Sequence, residues 1–221
     1  MQTLSAQNHH SLVSIPVGSV QLTGNLGIPV EALGIVLFAH GSGSSRHSPR
    51  NRYVAQDLQQ AGFATLLLDL LTPEEDRIDQ QTRHLRFDIG LLTTRLVGTT
   101  DWIRQNPKTR ALNLGYFGAS TGSAAALMAA AARPDDVHAL VSRGGRPDLA
   151  GSALTRVKAP TLLIVGGHDQ PVITLNRQAY QYLAAEKQLA IVPGATHLFE
   201  EPGTLEHVAQ LAGKWFQKYL P

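Results

Sequence analysis

Three residue types that cooperate in acyl transfer occur in this chain in the order serine, aspartate, histidine: Ser120, Asp169 and His197. Ser120 is the centre of Gly118-Ala119-Ser120-Thr121-Gly122, a G-x-S-x-G run. A serine hydroxyl is a weak nucleophile until a base takes its proton. An imidazole can do that and later protonate the leaving group. A carboxylate on the far ring nitrogen fixes the tautomer and stabilises the imidazolium. Asp169 follows Gly166-Gly167-His168, and His197 follows Pro193-Gly194-Ala195-Thr196. Asp169 has a competing reading as a helix N-cap ahead of Pro171-Val172, and Asp148 is the alternative acid. His168 reads as a solvated neighbour, and Glu200 and Glu201 follow His197 too closely to reach its far nitrogen. Developing negative charge on the carbonyl oxygen needs donors. The Thr121 N–H, directly after the nucleophile, is one, and the Ser42 N–H in His40-Gly41-Ser42 is the other. His40 itself reads as a residue that packs or braces this loop. Arg46, Arg50 and Arg143 are candidates to rim the mouth and draw in an anionic substrate, with Arg46 and Arg143 assigned to substrate binding; the competing reading pairs them with Asp69, Asp148 or similar carboxylates.

Chemistry of this kind needs strand ends to present it. Leu112–Phe117 is apolar enough for a buried strand, and Ser123-Ala124-Ala125-Ala126-Leu127 continues an alanine-rich run suited to a helix over Thr121–Arg133. A strand breaking into a helix at G-x-S-x-G is a nucleophile elbow, with glycines where side chains would collide. Further buried strands are expected at Gly34–Ala39, Ala64–Leu68, Val137–Ser142, Thr161–Val165 and Gln188–Val192, after an antiparallel pair at Ser11–Val17 and Val20–Leu26. Helices are expected at Arg52–Ala61 (Tyr53, Val54, Leu58 and Ala61 inward), from an Asp88 cap to about Gln105, at Val172–Ala185 and at Leu205–Tyr219. Thr72–Arg86 is the most polar stretch, with little apolar periodicity, and residues 1–10 read as a frayed end. Strands alternating with helices from residue 34 onward predict an α/β fold with a mostly parallel sheet covered on both faces. In such sheets ligands bind at the carboxyl ends of the strands, where every candidate above lies.

Composition narrows the classes. At 221 residues with 43% hydrophobic and 16% charged residues, the chain reads as a single globular domain over 1–221. The net charge is +2 and no basic run tracks a phosphate backbone, so no nucleic-acid partner is expected. No signal pattern or membrane-length apolar run is present, which makes the cytoplasm the default and leaves no membrane partner. Zero cysteines exclude disulfides and a thiol nucleophile. Gly41–Ser45 lacks a lysine at Walker spacing, so a nucleotide loop is not expected. No metal site is read, His9-His10 included.

The segments FAHGSGSSRHS, GYFGASTGS, GGHD and GATHLFEEP resemble those of the α/β-hydrolase superfamily, close to its dienelactone-hydrolase-like branch, over residues 11–219. The order nucleophile, acid, histidine agrees with that architecture. The resemblance implies an α/β-hydrolase fold, a cofactor-free hydrolase and a Ser120–His197–Asp169 triad. Similar chains are also found fused to phosphoribosyltransferase domains, for which this length leaves no room. Two departures bear on substrate. Dienelactone hydrolases use cysteine where this chain has Ser120. They also carry an arginine shortly after the catalytic histidine, where this chain reads Leu198-Phe199-Glu200-Glu201. The dienelactone substrate is therefore not carried over. A cap domain usually follows the strand that corresponds to Val137–Ser142. About fifteen residues separate Arg143 from the next strand, room for a turn and a short helix, so no cap is expected. The expectation is a small-molecule ester, favoured with short acyl chains of up to about six carbons; thioesters, lactones and a non-catalytic, receptor-like role for the same fold are the alternatives.

Overall fold

The computed structural model describes residues 9–221. The frayed end expected over residues 1–10 falls almost wholly outside them. Eight strands form one sheet in the order β1-β2-β4-β3-β5-β6-β7-β8. They are β1 (His9–Val17), β2 (Val20–Ile28), β3 (Ile35–Ala39), β4 (Ala64–Leu68), β5 (Leu114–Ala119), β6 (Val137–Arg143), β7 (Thr161–Gly166) and β8 (Lys187–Val192). The pair β1–β2 is antiparallel around Gly18-Ser19, and β2 meets β4 antiparallel. All pairs from β4 to β8 are parallel. This is the α/β-hydrolase fold the sequence pattern predicts.

The central strands are buried on both faces because helices cover both. Val36, Phe38, Phe117, Val141 and Ile164 face α1 (Pro49–Gln60) and α6 (Thr204–Tyr219), with the Phe38 and Phe117 rings 4.9 Å apart. Leu37, Leu66, Tyr116 and Leu140 face the other layer, which includes α3 (Ile89–Gln105) and α4 (Thr121–Ala132). The alanines of α4 let it lie close on the sheet; six of them are buried, from Ala124 to Ala131.

The elements depart from sequence expectation where local signals were read too weakly. Helix α1 begins at Pro49 rather than Arg52, because Ser48 caps it through Oγ and the Asn51 N–H. Tyr53, expected inward, is exposed; Val54, Ala55 and Leu58 carry that face. Strand β5 runs on to Ala119, directly under the elbow. Helix α5 spans Gln170–Tyr182 and so starts two residues before the expected Val172 and stops three short of Ala185. The polar stretch after β4 is ordered as α2 (Pro73–Thr82) and a 3-10 turn at Leu85–Phe87. Thr72 and Glu75 form a reciprocal capping box there, with Pro73 at the first helical position. No described helix is long and apolar enough to cross a membrane.

Candidate active site

The turn from β5 into α4 holds Ser120 at φ 51°, in the left-handed region that a serine adopts only under constraint from its surroundings. The constraint is visible on both sides. The Ser120 N–H donates to the Arg143 carbonyl at 3.2 Å, and the Ser120 carbonyl accepts the Arg146 N–H at 3.1 Å. A Cβ at Gly122 would fall onto the carbonyls of Ala39 and His40, and one at Gly118 onto the backbone of Ser123. The nucleophile elbow therefore needs glycine at both places. The Thr121 N–H, in the first turn of α4, has no partner within the helix.

Asp169 and His197 come together because the loops after β7 and β8 are tied. The Gly167 N–H donates to the Val192 carbonyl at 2.8 Å and the His168 N–H to the Ala195 carbonyl at 2.9 Å. Gly166 lets the second loop cross it, since a Cβ there would meet the Ala195 and Thr196 carbonyls. His197 Nδ1 lies 2.6 Å from Asp169 Oδ2. Asp169 occupies the N-cap position of α5, yet its side chain makes no capping bond. Its carboxylate is spent on the histidine. Asp148 is held bidentately by Arg146 Nε and Nη2 at 2.9 and 2.8 Å, on its own loop. Glu201 accepts the Thr196 N–H, and Glu200 pairs with Arg50 at 3.0 Å. The 143–146 turn contacts both residues: Arg143 and Arg146 bond to the Ser120 backbone, and a Cβ on Gly144 would sit 3.5 Å from His197 Cε1. Among the described residues, no hydrogen bond joins Ser120 Oγ to His197, and such bonds are often long or poorly aligned before a substrate binds.

The second flank of Ser120 is the loop after β3. Gly41 packs against Ser120 so closely that a Cβ there would lie 3.0 Å from Ser120 Cβ. His40, 9% exposed, directs this loop. Its Nε2 accepts the Leu70 N–H at 3.1 Å, which leaves the proton on Nδ1, and Nδ1–H donates to the Gly41 carbonyl at 2.9 Å. Ser44 N–H adds a second bond to that carbonyl at 3.2 Å. A trans peptide points its N–H opposite to its C=O. Holding the Gly41 carbonyl on the His40 side turns the Ser42 N–H to the other side of the peptide. Burial pushes the His40 pKa below its usual value, against smaller opposing effects of the Gly41 carbonyl and nearby Asp69 and Asp76, and so keeps the ring neutral.

The arginines are placed differently from a rim. Arg46 is locked to Asp69 by an ion pair and by its own backbone N–H, at 2.7 Å. Arg143 is 7% exposed, beneath Phe199, with its guanidinium 5.9 Å from that ring. Among the described residues its guanidinium makes one hydrogen bond, a 3.3 Å contact from Nη2 to Asn51 Oδ1, and no carboxylate pairs with it. Burial, with Arg50 nearby, pulls its pKa down to about 10. A strand-end arginine reads as exposed in sequence; α1 and the strained residue Phe199, at φ 57°, close over this one.

Comparison with known proteins agrees with this architecture. Residues 22–220 match the dienelactone hydrolase family, and the chain belongs to that family. A crystal structure of a dienelactone hydrolase from Anabaena variabilis is 67% identical, with a TM-score of 0.96 over 97% of this chain and 100% of that one. A carboxyl esterase from the fungus Tuber melanosporum shares the fold at 17% identity, with a TM-score of 0.75 over 99% of this chain and 89% of that one. A Mycobacterium tuberculosis protein described as a "putative phosphoribosyl transferase" is 59% identical over 208 residues, 94% of this chain and 46% of that protein. The chain thus spans about half the length of that relative.

Proposed function

We propose that this member of the dienelactone hydrolase family is a serine hydrolase of carboxylic esters that works through an acyl-enzyme intermediate. The observation that carries the reading is the 2.6 Å His197–Asp169 contact, made by an aspartate that gives up its capping bond to make it. Ser120 Oγ attacks the ester carbonyl as His197 Nε2 takes its proton. Asp169 holds the Nδ1–H and stabilises the imidazolium. The oxyanion is received by the N–H groups of Thr121 and Ser42. His197 returns the proton to the departing alcohol, and water, deprotonated by the same ring, releases the acid and regenerates Ser120.

No cofactor takes part in these steps, and the partner is a small-molecule ester. Between Arg143 and β7 the chain adds only the short 3-10 segment Pro147–Arg156, kinked at Gly151, which fits an uncapped site and short acyl groups. Arg46 and Arg143 belong to substrate recognition in this reading: Arg46 by contact, Arg143 as a buried positive charge beside the elbow. The family's dienelactone substrate is not adopted, because the arginine expected after the histidine is replaced by Leu198-Phe199-Glu200. Nor is the transferase activity of the mycobacterial relative, of which this chain covers 46%. The test is turnover of a chromogenic acetate ester together with fluorophosphonate labelling. One label per chain, on the peptide containing Ser120 and absent in Ser120→Ala, is the expected result; equal labelling of the variant refutes it.

A further inference from the structure

Resting on that hydrolase reading, we propose that the cleft between the oxyanion loop and α2 binds the acyl half of the substrate, and that this half is a short, uncharged, polyhydroxylated chain. The cleft has a volume of about 810 Å³, well within the range of small-molecule sites. Gly41 and Ser42 line it and Ser120 does not, but a Cβ on Gly41 would lie 3.0 Å from Ser120 Cβ, so the cleft and Ser120 are separated by the Gly41 backbone alone.

The strand order decides which half of an ester enters. Ser120 stands at the end of β5; β3 and β4, with the cleft, lie on one side of it and β6, β7 and β8 on the other. The oxygen of the leaving alcohol must meet His197 Nε2, at the end of β8. The alcohol half therefore points to the β8 side, and the acyl half is left to the β3–β4 side.

The walls decide what acyl half fits. Three arginines and three aspartates line the cleft, together with four serines and Gln80, while Pro49, Leu71, Pro73 and Leu92 give it apolar surface between them. The charges are largely used on one another. Arg46 pairs with Asp69, and Arg86 Nε meets the buried Asp79 at 2.5 Å while its Nη1 lies over Gly43. Asp76 accepts from Gln80 Nε2 at 2.9 Å. The formal sum over the six is zero, so a bound anion meets as many carboxylates as cations. An alkyl chain would strip water from these donors and acceptors without replacing it. Hydroxyl groups satisfy both kinds of partner and carry no charge.

The experiment keeps the alcohol constant and varies the acyl half: methyl gluconate against methyl hexanoate, equal in chain length, with methyl acetate as a short control. Methyl gluconate should exceed methyl hexanoate in kcat/KM by about tenfold or more, since a site built for hydroxyls discriminates against the analogue without them. A double variant of two lining residues on the α2 wall, Gln80→Ala/Arg83→Gly, should bring that ratio to about one. Methyl gluconate, which is uncharged, should bind Ser120→Ala in calorimetry and lose that binding when the double change is added. Methyl hexanoate equal to or better than methyl gluconate overturns the proposal, as does a ratio the wall variant leaves intact. Glucose pentaacetate favoured over ethyl acetate, with no gluconate preference, would put the alcohol half in the cleft and refute the assignment. Failure to turn over methyl acetate or a chromogenic acetate counts against the hydrolase reading itself, and calorimetry then still decides the cleft.

Discussion

The two flanks of Ser120 are built on different principles. On the β7–β8 flank, Asp169 and His197 each follow a strand within a few residues, and backbone bonds between the two loops align them. On the β3–β4 flank, the peptide proposed to receive the oxyanion is aimed by contacts between residues 23 to 30 positions apart, Arg46 with Asp69 and His40 with Leu70, while Arg86 reaches only seven residues back to Asp79. In the proposed mechanism the first flank carries proton transfer and should tolerate little change. The second would set the electrostatics and the shape of the substrate site, and its parts can be removed one at a time.

The largest effects belong to the first flank. Ser120→Ala should lower kcat by roughly four to six orders of magnitude, as in triads that act as a unit. Asp169→Asn should keep the fold and cut kcat by up to roughly 10⁴. Asp148→Asn should have little effect on steady-state kinetics, because Arg146 already holds that carboxylate. Activity lost in Asp148→Asn and kept in Asp169→Asn would exchange their roles.

His40 tests the second flank. His40→Ala should lower kcat by about 10- to 100-fold with little change in KM, a loss at or below that of removing one oxyanion donor outright. Its ring also carries a pH signature in stability. Because burial lowers the folded-state pKa, the unfolded chain binds the proton more readily. Stability is full above the unfolded value of about 6.5 and falls as pH drops below it toward the folded pKa, by at most about 1.4 kcal/mol per pH unit. Melting curves between pH 4 and 8 should show that slope in the wild type and a weaker one in His40→Gln. An identical slope in the two would mean that another group is responsible.

Arg143 lies beside both flanks and separates charge from contact. Its pKa of about 10 means that the folded state holds the charged form at a cost. Relative to an ordinary guanidinium, this is on the order of 3 kcal/mol at neutral pH, before the Phe199 contact is set against it. Arg143→Met should therefore leave the melting temperature unchanged or raise it. If the charge serves an anionic substrate, kcat/KM on an acidic ester should fall about ten- to a hundred-fold and a neutral short ester should be untouched. Equal losses on both esters with a lowered melting temperature would make Arg143 structural. The smallest effect is expected at Thr72→Ala, which removes the α2 capping box and should cost about 1 kcal/mol in urea unfolding with the triad intact.

Much of the first flank was legible in the residues themselves. Glycines mark tight approaches, apolar runs of five or six mark buried strands, and the chain order of Ser120, Asp169 and His197 is a local property of each motif. Asp169 shows the limit: before Pro171-Val172 it reads equally as a cap, and only the absence of a capping bond and the position of His197 decide between the roles. Helix α2 was missed although Thr72-Pro73-Glu74-Glu75 spells a capping box. Its periodicity is weak because it buries only Asp79, so the pattern of apolar residues that marks a core helix is absent.

By itself, then, the sequence determined where strands end and which residue types stand there, because strand burial and tight turns are set by neighbours a few positions away. Only the tertiary structure decided where the arginines went. Arg46, Arg86 and Arg143 look alike in sequence, yet two meet carboxylates brought from elsewhere in the chain or fold, and the third is closed in under Phe199 without one. The physical reason is that an arginine side chain is long and its partner is chosen by proximity in space. The free energy of that choice depends on how much water the surrounding elements remove, and no local pattern records it.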